Sequence, residues 1–162
     1  MSIKMQLRAM PESAIRENWT WLEEVMGDAL DRFQAERRAG IAEAVPYHFH
    51  ALNKVYAAAY TPHGSHDWEL PVFGGSPVYN ATDNQPPFVI ARPSEVREAG
   101  DFLAAASFDD LWAAARPKVL PPFSAFDEAE VKGWFLTHHT DLRTFYSRSA
   151  SAGSAVVKGF WY

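Results

Sequence analysis

The two ends of this chain both have the pattern of a β-strand, and this feature limits the fold more than any other. Residues 3–9 alternate apolar and polar side chains, the period-two pattern of a strand with one buried face. Residues 155–161 predict a closing strand, and helical patterns occupy most of the chain between the two. We therefore expect an α+β fold in which a small, mostly antiparallel sheet, including the N- and C-terminal strands, packs against several helices.

The helices are predicted from apolar residues at spacings of three and four. A first helix opens at Pro11 and stops at Gly40, and a second runs from near Pro46 to Tyr60. Three more are expected over 94–106, 109–117 and 127–150. A buried strand is expected at 88–91. The Pro- and Gly-rich residues 61–87 predict loops with at most one short strand near 70–73.

Composition favours one globular domain over residues 1–162. The chain is 48% apolar and 22% charged, which is ordinary for a soluble protein. It contains no apolar run long enough to span a membrane, and its N-terminus differs from a secretory signal. It has no cysteine, which excludes disulfides and thiolate chemistry and agrees with a cytoplasmic protein.

The charge of the chain argues against a nucleic-acid partner. The formal net charge is −5, whereas phosphate binding requires a positive face. The part beyond Val131 is basic, and we interpret its cations as a solvated helix face: Lys132, Arg143, Arg148 and Lys158, with the single acid Asp141.

Four phrases in order resemble the YfbM-like family of bacterial domains of unknown function. They are Leu52–Tyr56, Val72–Gly75, Ala91–Val96 and Leu142–Tyr146, the last followed by a small-residue turn and a final strand. The chain differs from the family pattern at Asn53 and Tyr56, where the family more often has Asp and Trp. The resemblance implies a small α+β domain and implies no reaction.

The residues most capable of chemistry lie together in His63–Gly75. His66 with Asp67 or Glu69 could act as a general base with an orienting carboxylate. The alternative is structural, since strict alternation of Asp67, Trp68 and Glu69 is also typical of a half-buried strand edge.

A metal site is not favoured by the six histidines. Only His63 and His66, joined by Asp67 or Glu69, could converge, and no second fixed pair of ligands accompanies them. His48 and His50 point apart on a helix, as do His138 and His139. We therefore predict no metal and no cofactor.

The glycine pair Gly74–Gly75 does not predict a nucleotide-binding loop, because no Lys-Ser/Thr and no helix start follow it. A turn, or a floor of small residues under a cleft, is expected there. There is also no Gly-x-Ser-x-Gly motif for a serine nucleophile. Tyr146 belongs to an apolar helix stripe and could still offer its hydroxyl to a polar cleft.

Our leading hypothesis is a non-catalytic binding domain that takes a protein or a small ligand near residues 61–80, for example as an immunity or regulatory partner. The expected binding residues are His63, His66, Trp68, Glu69, Gly74, Gly75 and Tyr146. The alternative is a small hydrolase or transferase that uses His66 with Asp67 or Glu69, with or without the assistance of a metal ion. A monomer or weak homodimer is expected; the sequence leaves the substrate and partner open.

Overall fold

The strands of the protein form one antiparallel sheet. A computed structural model describes residues 3–82 and 84–162. The strands are β1 (Lys4–Met10), β2 (Ala42–Pro46), β3 (Ser76–Val78), β4 (Phe88–Ala91) and β5 (Ala155–Trp161). Their order across the sheet is β2-β1-β5-β4-β3, and every neighbouring pair is antiparallel.

The two end strands are neighbours near the middle of this sheet. Met5 lies opposite Phe160, Leu7 opposite Lys158 and Ala9 opposite Val156. Because side chains alternate along a strand, these residues share one face. The predicted α+β fold, with both end strands in one mostly antiparallel sheet, is confirmed.

Helices cover both faces of the sheet. They are α1 (Trp19–Asp31), α2 (Phe33–Arg38), α3 (Phe49–Tyr56), α4 (Pro93–Ala105), α5 (Phe108–Val119) and α6 (Glu128–Ser151). On one face Leu22 and Met26 of α1 pack against Ile90 and Val157. On the other, residues of α3 to α6 form the larger core with Met5, Leu7 and Ala9. Among the described residues no helix is both long and apolar enough to cross a membrane.

Helix starts follow local capping chemistry, and this explains where one prediction was wrong. The backbone N–H of Trp21 donates to the Asn18 side chain at 3.0 Å, so α1 begins at Trp19. Pro11 opens only a 3₁₀ turn over Glu12–Ala14. The predicted helix from Pro11 to Gly40 is therefore a turn, an extended segment and two helices that separate at Arg32.

Other predictions were corrected by tertiary pairing. Strands β2 and β3 were not predicted, because each is short and β3 contains Pro77. No strand forms near 70–73, and Asp67–Glu69 is a 3₁₀ turn rather than a strand edge. Helix α5 continues through Pro117 to Val119, and α3 is shorter than expected.

Candidate functional site

The chemically rich segment His63–Gly75 does not assemble a catalytic group. His63 and His66 are solvent-exposed, and within the described residues no side-chain hydrogen bond or ion pair joins the His66 ring to the carboxylate of Asp67 or Glu69. The backbone N–H of Glu69 donates to the His66 carbonyl at 3.0 Å, as part of the turn. The backbone N–H of Asp67 instead donates to the Ser65 hydroxyl at 3.1 Å. No group of three or more His, Cys, Asp or Glu side chains in the described ranges is arranged to hold a metal ion.

Trp68, expected on an exposed recognition surface, is half-buried. Its ring packs against the larger core and lies edge-on to Tyr60, with ring centroids 6.4 Å apart. Its indole N–H is buried and meets no hydrogen-bond partner within the described part of the chain. Trp68 thus contributes mainly to packing, and of the predicted binding residues in this segment His63, His66 and Glu69 are exposed.

Lys158 holds the second half of this segment in place. Its side chain is completely buried, and its ammonium group donates to the carbonyl of Leu70 and, at 2.7 Å, to the carbonyl of Gly74. Burial lowers the pKa of Lys158 to about 7, against the opposing effect of Glu95. The interpretation of this lysine as part of a solvated face was wrong: its amine is buried in the core and binds the carbonyls of a loop.

Tyr146 takes part in the same clamp. Its hydroxyl donates to the carbonyl of Pro71 at 3.0 Å and lies 3.3 Å from that of Leu70. The Lys158 ammonium lies 6.0 Å from the centre of the Tyr146 ring. The structure thus brings Tyr146 and Gly74, both predicted as binding residues, to one place, where their contacts with the loop are structural.

The glycine pair is required by close approach of the backbone. A Cβ atom on Gly74 would lie 2.8 Å from the Leu70 Cα. Gly75 has φ +131°, and a Cβ there would lie 2.8 Å from the Ile90 carbonyl oxygen. The expectation of a turn at this pair, rather than a phosphate loop, agrees with this geometry.

A different region, beside strand β2, has the character of a binding groove. An apolar cleft of about 420 Å³ lies between the turn that follows β2 and the first half of α6. We call it the aromatic cleft; its walls are Pro46, Tyr47, His48, Phe123, Phe126, Trp134, Thr137 and His138. Aromatic rings with exposed faces provide a large contact area at small entropic cost, which is typical of ligand sites.

Tyr47 at this cleft has an unusual backbone conformation. Its φ is +57°, and among described non-glycine residues no other φ is positive. The side chain is 61% exposed. The left-handed conformation is unfavourable for a bulky residue, and such strain is often found at binding sites. Phe126, which is 52% exposed, contributes a second open ring and packs edge-on to Trp134 with centroids 5.1 Å apart.

Two histidines form the floor of the aromatic cleft. His48 stacks on Trp134 with an angle of 8° between the rings, and its Nδ1 lies 3.4 Å from Nε2 of His138. Burial lowers the pKa of both imidazoles, and for His138 the nearby His48 lowers it further. The pair is therefore neutral near neutral pH.

A second, more polar cleft of about 380 Å³ adjoins the first, with Pro46, Thr137 and His138 in both walls. We call it the polar cleft; its other lining residues are Lys4, Gln6, Phe33, Arg37, Glu43, Ala44 and Asp141. Gln6 is 1% exposed, and both polar atoms of its amide lack a hydrogen-bond partner within residues 3–82 and 84–162. Buried polar groups without partners are rare and call for an explanation.

The remaining histidines are engaged elsewhere. His50 Nε2 lies 2.8 Å from the Tyr162 hydroxyl. His139 is buried, its Nδ1 lies 3.1 Å from the Tyr56 hydroxyl, and burial together with Arg143 lowers its pKa to about 4. The predicted divergence of neighbouring histidines is confirmed at 138–139, where one ring faces the clefts and the other the core.

A third cleft, of about 700 Å³, is a groove between α4 and α6. Arg97, Arg143 and Arg148 lie along it with Asp101, and all four side chains are exposed. It contains the predicted basic face of the C-terminal helix. Among the described residues that line it, none is a buried polar group without a partner, and we therefore favour the clefts beside β2.

Sequence reasoning missed both Tyr47 and Gln6. The sequence predicts the start of a helix at Pro46–Tyr47. Turns are also common directly after a proline, and this signal could have indicated the turn at Tyr47. The alternation of β1 places Gln6 on its solvent side, and nothing in that pattern indicates that α1 and α2 cover this face. His48 and His138 were considered only as metal ligands, and their proximity depends on the tertiary fold.

Comparisons with known proteins agree with this architecture. A family model described as a domain of unknown function (DUF1877) matches residues 1–158. The solved structure of YfbM from Escherichia coli, a protein of unknown function, aligns with a TM-score of 0.61 over 98% of this chain and 99% of that one. The two sequences are 13% identical, so the likeness shows the fold alone.

Among curated proteins, none matches this sequence. The family match covers nearly the whole chain, and the fold of YfbM is the fold found here. The chain therefore belongs to the family of domains of unknown function DUF1877.

Proposed function

We propose that this protein is a non-catalytic binding domain for a small molecule, and that the ligand places an apolar group in the aromatic cleft. The observation that carries the proposal is the exposure of Tyr47 and Phe126 beside Trp134, around a cleft of about 420 Å³. A cleft of this size and composition matches sites that bind small organic molecules. The strained φ of Tyr47 supports the same site.

The electrostatics of the cleft favour a neutral group at this position. His48 and His138 have lowered pKa values and carry no charge near neutral pH. Charged residues lie in the neighbouring polar cleft instead. An uncharged aromatic or aliphatic group therefore has only a small desolvation cost when it leaves water and binds in this cleft.

The enzyme alternative has less support. A general base at His66 needs an orienting carboxylate within hydrogen-bond reach, and within the described residues Asp67 and Glu69 make no such contact with it. A surface formed by His63, His66 and Glu69 for a protein partner, in an immunity or regulatory role, stays a prediction. The proposed setting is a bacterial cytoplasm, in keeping with the E. coli neighbour and the cysteine-free sequence.

A fragment screen by NMR would test the proposed cleft. A panel of neutral aromatic compounds, with indole and phenylacetamide among them, should shift the backbone amides of Tyr47, His48 and Thr137 more than amides elsewhere. Tyr47→Gly should weaken binding at least about fivefold. Glycine tolerates a positive φ, so the fold should persist.

A matched control is available on the same helix. Leu136 is exposed on α6 and lies outside the walls of both clefts. Leu136→Ala should leave the dissociation constants unchanged, whereas Phe126→Ala should raise them. If the strongest shifts fall instead on the 61–69 loop or on the α4–α6 groove, the ligand does not bind at the aromatic cleft.

A further inference from the structure

We infer that Gln6 recognises the polar end of the ligand, and that this end is a primary carboxamide or a lactam. The inference rests on the proposed function, because the polar cleft that contains Gln6 adjoins the aromatic cleft. It adds the chemical class of the ligand, which the aromatic cleft does not specify.

The position of Gln6 leaves its amide open to a partner. On β1 it lies opposite Ala44 of β2 and opposite Gly159 of β5. Both neighbours are small, and neither side chain can donate or accept a hydrogen bond. The two neighbouring strands therefore offer the amide no side-chain partner, and Gln6 lines the polar cleft on the face that α1 and α2 cover.

The free amide is energetically significant. Its Oε1 and Nε2 are both buried and unpaired within residues 3–82 and 84–162. A buried donor or acceptor without a partner costs about 1–3 kcal/mol. Arg8 lies two residues further along β1 on the same face and does have partners. Its guanidinium donates to the Val25 carbonyl at 2.8 Å and to the Asp28 carboxylate at 2.8 Å.

The pair of free atoms selects a particular partner. Oε1 accepts a hydrogen bond and Nε2 donates, so the complement presents a donor and an acceptor side by side. A primary carboxamide or a lactam has its N–H and C=O on the same side and meets both. A trans peptide group has them on opposite sides, and a carboxylate offers acceptors only.

The charges around the polar cleft favour an uncharged ligand. The cations Lys4 and Arg37 are balanced by the anions Glu43 and Asp141. The Arg37 guanidinium donates to Glu43 at 3.0 Å and lies 3.5 Å from Asp141, so its charge is already compensated. An amide fits this balanced set better than an ion does.

Lys4 lines the polar cleft together with Gln6 and has a flexible side chain. Lys4 is half-buried in the wall of the polar cleft and makes no ion pair within the described part of the chain. Its long alkyl chain can rotate outward at a small cost. Lys4→Ala should therefore tighten amide binding or leave it unchanged.

The test compares four probes by isothermal titration calorimetry on the unmodified protein. Phenylacetamide and carbostyril, a lactam fused to a benzene ring, present the required donor and acceptor. N,N-dimethylphenylacetamide keeps the carbonyl and lacks the N–H, and phenylacetate lacks the donor. We expect the first two to bind at least about tenfold more tightly than the others.

A variant then assigns the difference to Gln6. Gln6→Met keeps the length of the side chain and removes its hydrogen bonds, so the preference for the amide should disappear. Gln34 is exposed on α2, and Gln34→Met is the matched control with no expected effect. If Gln6→Met does not fold, the four-probe comparison on the unmodified protein still decides the inference.

The outcomes separate the two proposals. Equal affinity for phenylacetamide and its dimethyl derivative, with shifts at Tyr47 and His48, overturns the inference about Gln6 and leaves the aromatic cleft as a binding site. If none of the four probes shifts amides at the clefts, the inference about Gln6 is wrong. If none of the compounds in the wider neutral panel shifts them either, the proposed function is wrong too. A Gln6→Met protein that keeps the amide preference shows that another group provides it.

Discussion

A single side chain in the sheet, that of Lys158, determines the shape of a loop distant in sequence. Its ammonium and the Tyr146 hydroxyl together occupy the carbonyls of Leu70, Pro71 and Gly74. A buried charge is costly unless its donors are used, and here they are used by backbone oxygens. The buried amine therefore joins the loop at 70–75 to strand β5.

The pKa of Lys158 predicts a rise of stability in alkaline solution. The pKa is about 7 in the folded protein and 10.5 as an ordinary lysine, so between these values the unfolded chain binds more protons. The free energy of unfolding should rise as the pH goes from 7 towards 10, by at most about 1.4 kcal/mol per pH unit. Urea titrations across this range measure it.

The control for this prediction is a lysine of the surface. Lys158→Met should remove the rise, whereas Lys54→Met, at an exposed position of α3, should retain it. The measurement should stop near pH 10, because burial raises the pKa of Tyr56 and Tyr146 and their unfolded forms ionise first above that value. A flat profile in the unmodified protein would contradict a lowered pKa of Lys158.

The lowered pKa of the buried His139 predicts how the stability of the protein changes in acid. His139 has a pKa of about 4 in the folded protein and 6.5 as an ordinary histidine, so the unfolded chain takes up the proton first. Stability should be fully present above pH 6.5 and fall as the pH drops towards 4. His139→Gln, which can still accept from Tyr56, should flatten part of this decline, and exposed His63→Gln should not; thermal melts at several pH values would show the difference.

At the scale of elements, the turn at 70–75 and the long helices use glycine for opposite reasons. Gly74 and Gly75 lie where a Cβ atom would meet backbone at 2.8 Å. At Gly27 in α1 and Gly133 in α6, a Cβ atom would meet nothing within 4 Å beyond its own helix, so their lack of a side chain serves no contact. Glycine is therefore required in the turn, whereas in the two helices it makes the helix less stable.

This contrast predicts substitutions of opposite sign. Gly75→Ala should destabilise the protein by about 1–3 kcal/mol, because the backbone is strained at φ +131° and the Ile90 carbonyl cannot move away. Gly27→Ala and Gly133→Ala should stabilise it by up to about 1 kcal/mol through helix propensity. Denaturant unfolding compares all three, and a neutral Gly75→Ala would show that the turn adapts.

At the scale of the whole molecule, the end strands hold the sheet together. β1 pairs with β5 over seven residue positions, from Lys4 with Trp161 to Met10 with Ala155. Each also pairs with an outer strand, β1 with β2 and β5 with β4. Opening this pair would therefore separate the sheet into two halves and expose both cores.

Native-state hydrogen exchange tests this organisation. The amides of Leu7 and Val157 should exchange only by global unfolding, so their opening free energy should equal that from denaturant unfolding. Amides of the exposed loop around Gly64 should exchange far faster. If the amides of β1 open well below the global value while those of β5 do not, the two strands do not form one cooperative unit.

The sequence predicted those parts of the molecule that are encoded locally. The alternation of β1, the apolar run of β4 and the stripe of α6 need no distant partner to be recognised. Strand β2 is short and depends on pairing with β1, which no local pattern reveals. The clefts were missed for the same physical reason, since Gln6, Tyr47 and His138 are far apart in the chain and meet only through the fold.

The pairing of β1 with β5 also has a consequence for how the chain is made. A ribosome produces β1 before the six helices and β5 after them, so the edge of β1 that pairs with β5 stays open while the helices are made. Strand β2 follows closely and can pair with it first. A nascent chain of this kind exposes an open strand edge during translation, and such an edge is prone to aggregate until its partner strand is made.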